Sequence, residues 1–501
     1  MNRLAVYELG VNDIKLTIYK CSQNGFFAQE SQIVEPVRLT QDMERDGYIK
    51  PIRIQETIAV LKSFRRIVDG SKIDNYICFA APVIANARNQ IAFLDEIYKT
   101  VSLYFKVLTT EEQVTALHTA IMYSFSMARG VIVQVGDHST EIVRYNRRVI
   151  TNSVSIPIGT VTLLEQVREK SMAERMDKVV EIMTSEFKKC DWLYNLDSES
   201  EFIGVGEVFE AIGKLSRKST RYPLDNAHNY EVTTESFQNV YNLIRGLDLD
   251  KAKKLKGISD KRADIIAIGM AVVKVAYNEF VRNNMKVSVN GEMYGIVAKN
   301  LLGQTGEKPL LDILGYSLSA INEFCPTNTN VDNNYSLAVI LYKQLKVLHK
   351  LTRSYVKVLR IAASMCNSGK IISFENYQKN SFPVIINSNI YGASHKDVVL
   401  AAFVAASQNV DDFSLNEWVR YKDLVTEEDV DAVKKLAIII KMANMMNITN
   451  SNVIKDVACD VLGDTVILKT EVEKDATLEI SQAMSIAGDF KKVYGKNLQI
   501  L

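Results

Sequence analysis

The stretch "GVIVQVGDHSTEIVRYN", residues 130–146, decides how the rest of the chain is read. Val131–Val133 is an apolar run with strand character, Gly136 opens a small polar loop, and a second strand follows from Thr140. A strand that runs into glycine and turns back through small polar residues can aim backbone N–H groups at an oxyanion. The plan occurs twice. At "LAVYELGVNDIKLTIYKC" (4–21) a strand meets Gly10 and returns with Ile14, Leu16 and Ile18 on one face. A third strand, "RVITNSVSI" (148–156), follows the later copy.

The segments between the copies alternate helix and strand: "IQETIAVLKSFRRIV" (54–68) and "NQIAFLDEIYKTV" (89–101) carry helical periodicity around the strand "IDNYICFAAP" (73–82). A duplicated strand–loop–strand followed by helices predicts two related α/β lobes with their loops facing each other across a cleft, the actin-like arrangement; two ordinary hairpins are the alternative that the pattern leaves open. Beyond residue 160 helices dominate. "DKRADIIAIGMAVVKVAYNEF" (260–280) reads as a long helix leading to a short strand, "KVSVN", and "VDAVKKLAIIIKMANMMNI" (430–448) is apolar nearly all round. The last third therefore reads as a separate helical domain that closes with a strand signal, "DTVILKTEV", and a final helix near Phe490.

Composition sets outer limits. A chain of 501 residues exceeds one core. Sixty basic and 59 acidic residues give a net charge of +1, so no bulk electrostatic grip on nucleic acid or membrane is expected. Six scattered cysteines without a CxxC pair predict reduced thiols and a cytoplasmic protein. No apolar run is long enough to predict a membrane span.

At the level of motifs the chain resembles the exopolyphosphatase/guanosine pentaphosphate phosphatase (Ppx/GppA) family over essentially its whole length. The family's "IDLGSNSFRL" is "YELGVNDIKL" (7–16) here, its "SGxEEA" is "TTEEQV" (109–114), its "DIGGGSTE" is "QVGDHSTE" (134–141) and its "SLPLGAVRLTE" is "SIPIGTVTLLE" (155–165). "AAPVIANARN" (80–89), "GISDKRADIIAIG" (257–269), "NSNIYGASHKD" (387–397) and "FKKVYGKNLQI" (490–500) fall in the family's order and spacing. The resemblance implies an α/β plus α chain: actin-like (ASKHA, ribonuclease H-like) domains at 1–125 and 126–305, then an HD-like all-helical domain at 306–501. It also implies phosphoanhydride hydrolysis with magnesium, on polyphosphate or a guanosine nucleotide alarmone, in a homodimer.

Carried over position by position, the family's working parts are altered. Magnesium would fall to Glu8, where the family has Asp, and to Glu141; the second strand-end acid is Gln134, a carbonyl without charge. The phosphate cradle would be Gly10, Asn12, Lys15, Gly136, Ser139 and Thr140, but the glycines after Gly136 are Asp137 and His138, and Lys15 replaces an arginine fork with a point charge. The water-activating base maps to Glu112 with Glu111 beside it, and which of them faces the cleft is left open; a capped helix start after Thr110 accounts for the same residues. An arginine of the family is Ala85, and its "REG" is "MYG" (293–295). The HD ligands are absent: "LHDIG" is "MCNSG" (365–369), "HHKHS" is "YQKNS" (377–381), and "IADALD" is "MANMMN" (442–447). Core patterns persist where chemical positions change. The expectation is a binding protein for a phosphate-rich ligand with weak or lost turnover and weak or absent magnesium. An active hydrolase and a ligand-free interaction protein are the alternatives.

Overall fold

The computed structural model describes all residues except 1, 42, 168–170, 198–199, 256, 259–261, 282, 306–309, 326–330 and 408–413. Its contacts divide it into two units, 1–221 with 227–313, and 222–226 with 314–501. The spans expected for the two lobes, 1–125 and 126–305, fall in the first unit except for 222–226, and the main part of the second unit starts at Leu314.

The first unit holds two sheets built on one plan. In the first, β1 (Asn2–Leu9), β2 (Asp13–Cys21) and β3 (Phe27–Pro36) form an antiparallel meander, and β4 (Asn75–Ala80) and β5 (Lys106–Val107) add parallel to β1, giving the order β3-β2-β1-β4-β5. In the second, β6 (Arg129–Val135), β7 (Thr140–Asn146) and β8 (Val149–Ile156) repeat the meander; β9 (Glu201–Val205) pairs parallel to β6, then β10 (Glu231–Val232) and β11 (Met285–Ser288) complete the order β10-β11-β9-β6-β7-β8. The strands form where the alternation predicts: Ile14, Leu16 and Ile18 of β2 are buried, beside Ala5, Tyr7 and Leu9 of β1. Helix Pro51–Gly70 starts with proline at its first position, where no N–H is needed, and buries Ile58, Leu61, Phe64 and Val68. Each such side chain contributes about 1.5–3 kcal/mol of burial.

Two helices set the geometry of the cleft. Thr110–Met122 leaves the first sheet, and Glu292–Thr305 follows β11. They cross so closely that a Cβ on Gly295 would lie 1.8 Å from the Ala116 carbonyl oxygen. Only glycine fits there. The long helix expected at 260–280 runs from Ala263 to Glu279 and buries residues on nearly every face.

The second unit is mostly helical, with helix Glu427–Met446 buried along most of its length. It is not all-helical as expected. β12 (Ile454–Leu462), β13 (Thr465–Val472) and β14 (Asn497–Ile500) form a three-stranded sheet, because "DTVILKTEV" finds partners on both sides. Among the described residues no helix is long and apolar enough to cross a membrane.

Candidate functional site

The two hairpin loops are built alike. Gly10 N–H donates to the Asp13 carbonyl at 3.0 Å, and Gly136 N–H donates to the Ser139 carbonyl at 2.9 Å. A Cβ would come within 2.6 Å of the first carbonyl and 3.0 Å of the second, so a glycine closes each turn. Pairing register then places equivalent residues opposite one another: Glu8 across from Lys15 in the first hairpin, Gln134 across from Glu141 in the second. Both loops line one cleft of about 1600 Å³ within the first unit.

The carboxylates at the base of this cleft are all engaged or buried. Glu8 pairs with Lys15 at 3.2 Å, and that partner raises the lysine's pKa against the cost of burial. Glu141 is fully buried; Ser155 donates to its Oε1 at 3.1 Å and Ser139 donates to the same oxygen, while Oε2 has no hydrogen-bond partner among the described residues. Burial pushes its carboxyl up. Glu292 opens the helix that crosses Thr110–Met122. Its Oε1 accepts from Gln113 at 2.7 Å and from Gln134. Desolvation first, then the nearby Glu141 and Glu8 charges, push Glu292 up to about 7 against the two amide donors.

Above this layer a second cluster spans the loops. The Arg262 guanidinium reaches Asp137 at 2.9 Å, Asp13 at 3.4 Å and Glu207 at 2.6 Å. Asp137, which stands where the family has glycine, is therefore paired inside the protein. His138 Nε2 sits 2.9 Å from Thr40 Oγ1 of the first lobe and its Nδ1 3.5 Å from Thr162 Oγ1. The histidine thus ties the loop across the cleft.

Of the residues singled out by sequence, Glu8, Gly10, Asn12, Lys15, Gly136 and Ser139 line the cleft together. Asn12 also leaves its Nδ2 without a partner among the described residues. Thr140 and Glu141 lie beneath the lining, with Thr140 Oγ1 donating to the Ile158 carbonyl at 2.8 Å. Glu111 and Glu112 are not part of the lining. Glu112 closes a capping box with Thr109 and binds Lys106; that lysine and the Thr109 N–H hold its carboxyl below the usual range. The cleft face of this helix is presented by Gln113, one position on. Glu112 thus stands in a cap and an ion pair, and the amide of Gln113 lines the cleft. Sequence reasoning also missed Glu292, beside the altered "MYG", and Arg262, inside a motif matched only for its spacing.

The residues aligned with the family's magnesium ligands make other contacts here. Glu8 is committed to Lys15, the second strand-end position offers amide N–H to Glu292, and among the described residues no three His, Cys, Asp or Glu are grouped to hold a metal ion. The second unit shows a parallel change. Three of the positions aligned with HD ligands, Cys366, Asn444 and Asn447, meet there with Asn334. Asn334 donates to Asn444 at 2.9 Å, Asn447 donates to Asn334 at 2.7 Å, and Asn444 Nδ2 lies 3.3 Å from Cys366 Sγ. A neutral hydrogen-bonded knot occupies those positions.

Comparison with known proteins agrees with the family reading. The Ppx/GppA phosphatase family model matches residues 20–304. A guanosine-5'-triphosphate,3'-diphosphate pyrophosphatase from Pseudoalteromonas atlantica is 20% identical over 417 residues, 79% of this chain and 78% of that one. A bifunctional 3-dehydroquinate synthase/phosphatase from Fusobacterium nucleatum is 22% identical over 317 residues, and the match spans only 46% of its length. Among solved structures, an Aquifex aeolicus Ppx/GppA protein superposes with a TM-score of 0.54 at 22% identity, covering 61% of this chain and 99% of its own. An exopolyphosphatase from Cytophaga hutchinsonii gives 0.53 at 17%, covering 60% and 98%. The family model stops short of Leu314, where most of the second unit begins, so the HD-like reading of that unit rests on its sequence motifs. With its family model spanning more than half of the sequence, the chain belongs to the Ppx/GppA phosphatase family.

Proposed function

We propose that the cleft of the first unit binds a phosphate-rich anion, polyphosphate or a guanosine nucleotide alarmone, with metal-dependent turnover weak or lost. One observation carries this: Gln113 and Gln134, at the helix start and strand end where the family pattern puts acids, both donate N–H groups to Glu292. Amide donors neither anchor magnesium nor take a proton from water. The retained turn glycines, Lys15, Asn12 and Arg262 supply the anion-facing groups. A second reading has one observation in its favour: a carboxyl held near 7 at the cleft, Glu292, has the affinity for protons that suits a general base. The homodimer expected from the resemblance rests on that resemblance alone and is read by sedimentation equilibrium.

The test is phosphate release from long-chain polyphosphate and from guanosine pentaphosphate with magnesium, beside calorimetric titration of both ligands. Binding without release supports the proposal. Release that vanishes in Glu292→Gln replaces it with the second reading, and no binding of either ligand overturns it.

A further inference from the structure

The cleft contains a contradiction that its family membership does not explain. Arg262 puts a guanidinium, a group suited to phosphate, on the cleft lining, yet Asp137, Asp13 and Glu207 already surround it. Asp137 comes from the second hairpin loop and Asp13 from the first residue of β2, where the first hairpin's turn closes, so the two hairpins meet through one cation. Two carboxylates reaching one guanidinium from the two hairpins take up the donors that a bridging phosphate would use. We propose that Asp137 is a built-in competitor for the phosphate seat, setting ligand affinity by holding Arg262 until an anion displaces it. This rests on the reading of the cleft as a phosphate site.

The mounting of Asp137 supports a dedicated role. Its Oδ1 accepts from Thr160 Oγ1 at 3.2 Å, and its carbonyl accepts the Val161 N–H at 2.9 Å. The neighbouring Gly136 carbonyl accepts the Thr160 N–H at 2.9 Å. Behind the loop, a Cβ on Gly159 would lie 2.4 Å from the Asp137 carbonyl carbon, so the backbone is pressed against a glycine that leaves it no room to retreat. The side chains of Asp137 and Arg262 are only 17% and 19% exposed, so solvent screens their attraction less than at an open surface. Three acids around one cation leave the cluster net negative. An incoming phosphate must break the Asp137 contact and also sit beside its charge.

The experiment is calorimetric titration of inorganic tripolyphosphate into the full chain and into Asp137→Asn. Asparagine keeps the volume and the oxygen that accepts from Thr160 while removing the charge. The expected result is binding tighter by about tenfold or more in Asp137→Asn, with affinity lost in Arg262→Gln. Binding to Asp137→Asn with none to the unmodified chain also supports the competitor and removes the claim that the native cleft holds phosphate on its own. Equal or weaker binding in Asp137→Asn, with the unmodified chain binding, overturns the competitor and leaves the cleft reading standing. No binding to either protein removes both. Should Asp137→Asn fail to fold, as read by its thermal melt, Glu207→Gln takes another carboxylate from the same guanidinium on a different element. It must then tighten binding in the same direction, or the inference fails.

Discussion

The two hairpins of the first unit share a turn, a register and a closing glycine, yet they settle charge in opposite ways. In the first, the strand-end acid Glu8 stays and its cross-strand neighbour is the cation Lys15. In the second, the strand end is neutral Gln134 and the acid, Glu141, stands across the hairpin, where burial and two serines hold it. One hairpin solves the problem of a cleft carboxylate by pairing it, the other by burying it. Between them stands Glu292, held by one amide from each lobe's framework. Both solutions use up, inside the protein, the charges that a metal–phosphate complex would otherwise balance.

Making the second hairpin match the first strand end is the severest way to break this comparison. Gln134→Glu removes the N–H that Glu292 accepts and sets a carboxylate against it, with Glu141 directly across the strands. The expected loss at pH 8 is about 2–4 kcal/mol of unfolding free energy, since a buried charge would be left facing like charges. Urea denaturation at pH 8 and pH 5.5 reads it. The loss should shrink at the lower pH, where protonation relieves the repulsion, and added magnesium should restore stability if the family's metal chemistry can be rebuilt by one residue. A variant as stable as the unmodified chain at pH 8 would show that Gln134 and Glu292 do not depend on each other.

The pH dependence of stability sharpens the same comparison with a smaller effect. Glu292 is raised from 4.5 to about 7. Between those values the unfolded chain has released this proton and the folded chain still holds it, so stability falls as pH rises through that window and is level above it. The contribution is at most about 3.5 kcal/mol, at about 1.4 kcal/mol per tenfold change in proton affinity, and partial exposure of Glu292 reduces it. In Glu292→Gln this decline should disappear, making the variant the more stable protein at pH 8. The slope due to Glu141, which has the same sign, should remain. Parallel melting curves for the two proteins from pH 4.5 to 8 would mean that Glu292 titrates normally.

Much of the architecture was legible because it is written in periodicity. Ile14, Leu16 and Ile18 alternate, Phe93, Ile97 and Val101 step by four, and the glycine turns recur, so two lobes with opposed loops were one of the two arrangements the sequence offered, beside two ordinary hairpins. The three-stranded sheet of the second unit was seen only as a single strand: β14 is four residues long, and β12 is mostly exposed, without a clean alternation of buried and exposed residues. The site was less legible for a different reason. Motif alignment transfers identities at fixed positions, whereas charge balance here is reached across positions. Arg262 answers Asp137 over 125 residues, and Gln113 answers Glu292 over 179. Such partners share no sequence pattern.

Glu112 is where those two kinds of information disagreed most, and it gives the mildest test. Alignment assigned it to water activation. Locally, Thr109 and Glu112 exchange hydrogen bonds at a helix start, with Glu112 donating its N–H to Thr109 Oγ1 at 3.2 Å and accepting the Thr109 N–H at 3.0 Å. Lys106 adds an exposed ion pair. Glu112→Ala should therefore cost about 0.5–1 kcal/mol of stability, the usual worth of a cap and a surface pair. It should leave tripolyphosphate affinity unchanged, because its carboxylate is not part of the cleft. Gln113→Ala, one residue on, should do the reverse: it removes a donor from Glu292 and alters binding more than the cap does. If Glu112→Ala instead abolishes binding or phosphate release while the helix stays intact by circular dichroism, the side chain that matters on this turn is the one the alignment chose, and the division between a paired hairpin and a buried one no longer describes how the cleft works.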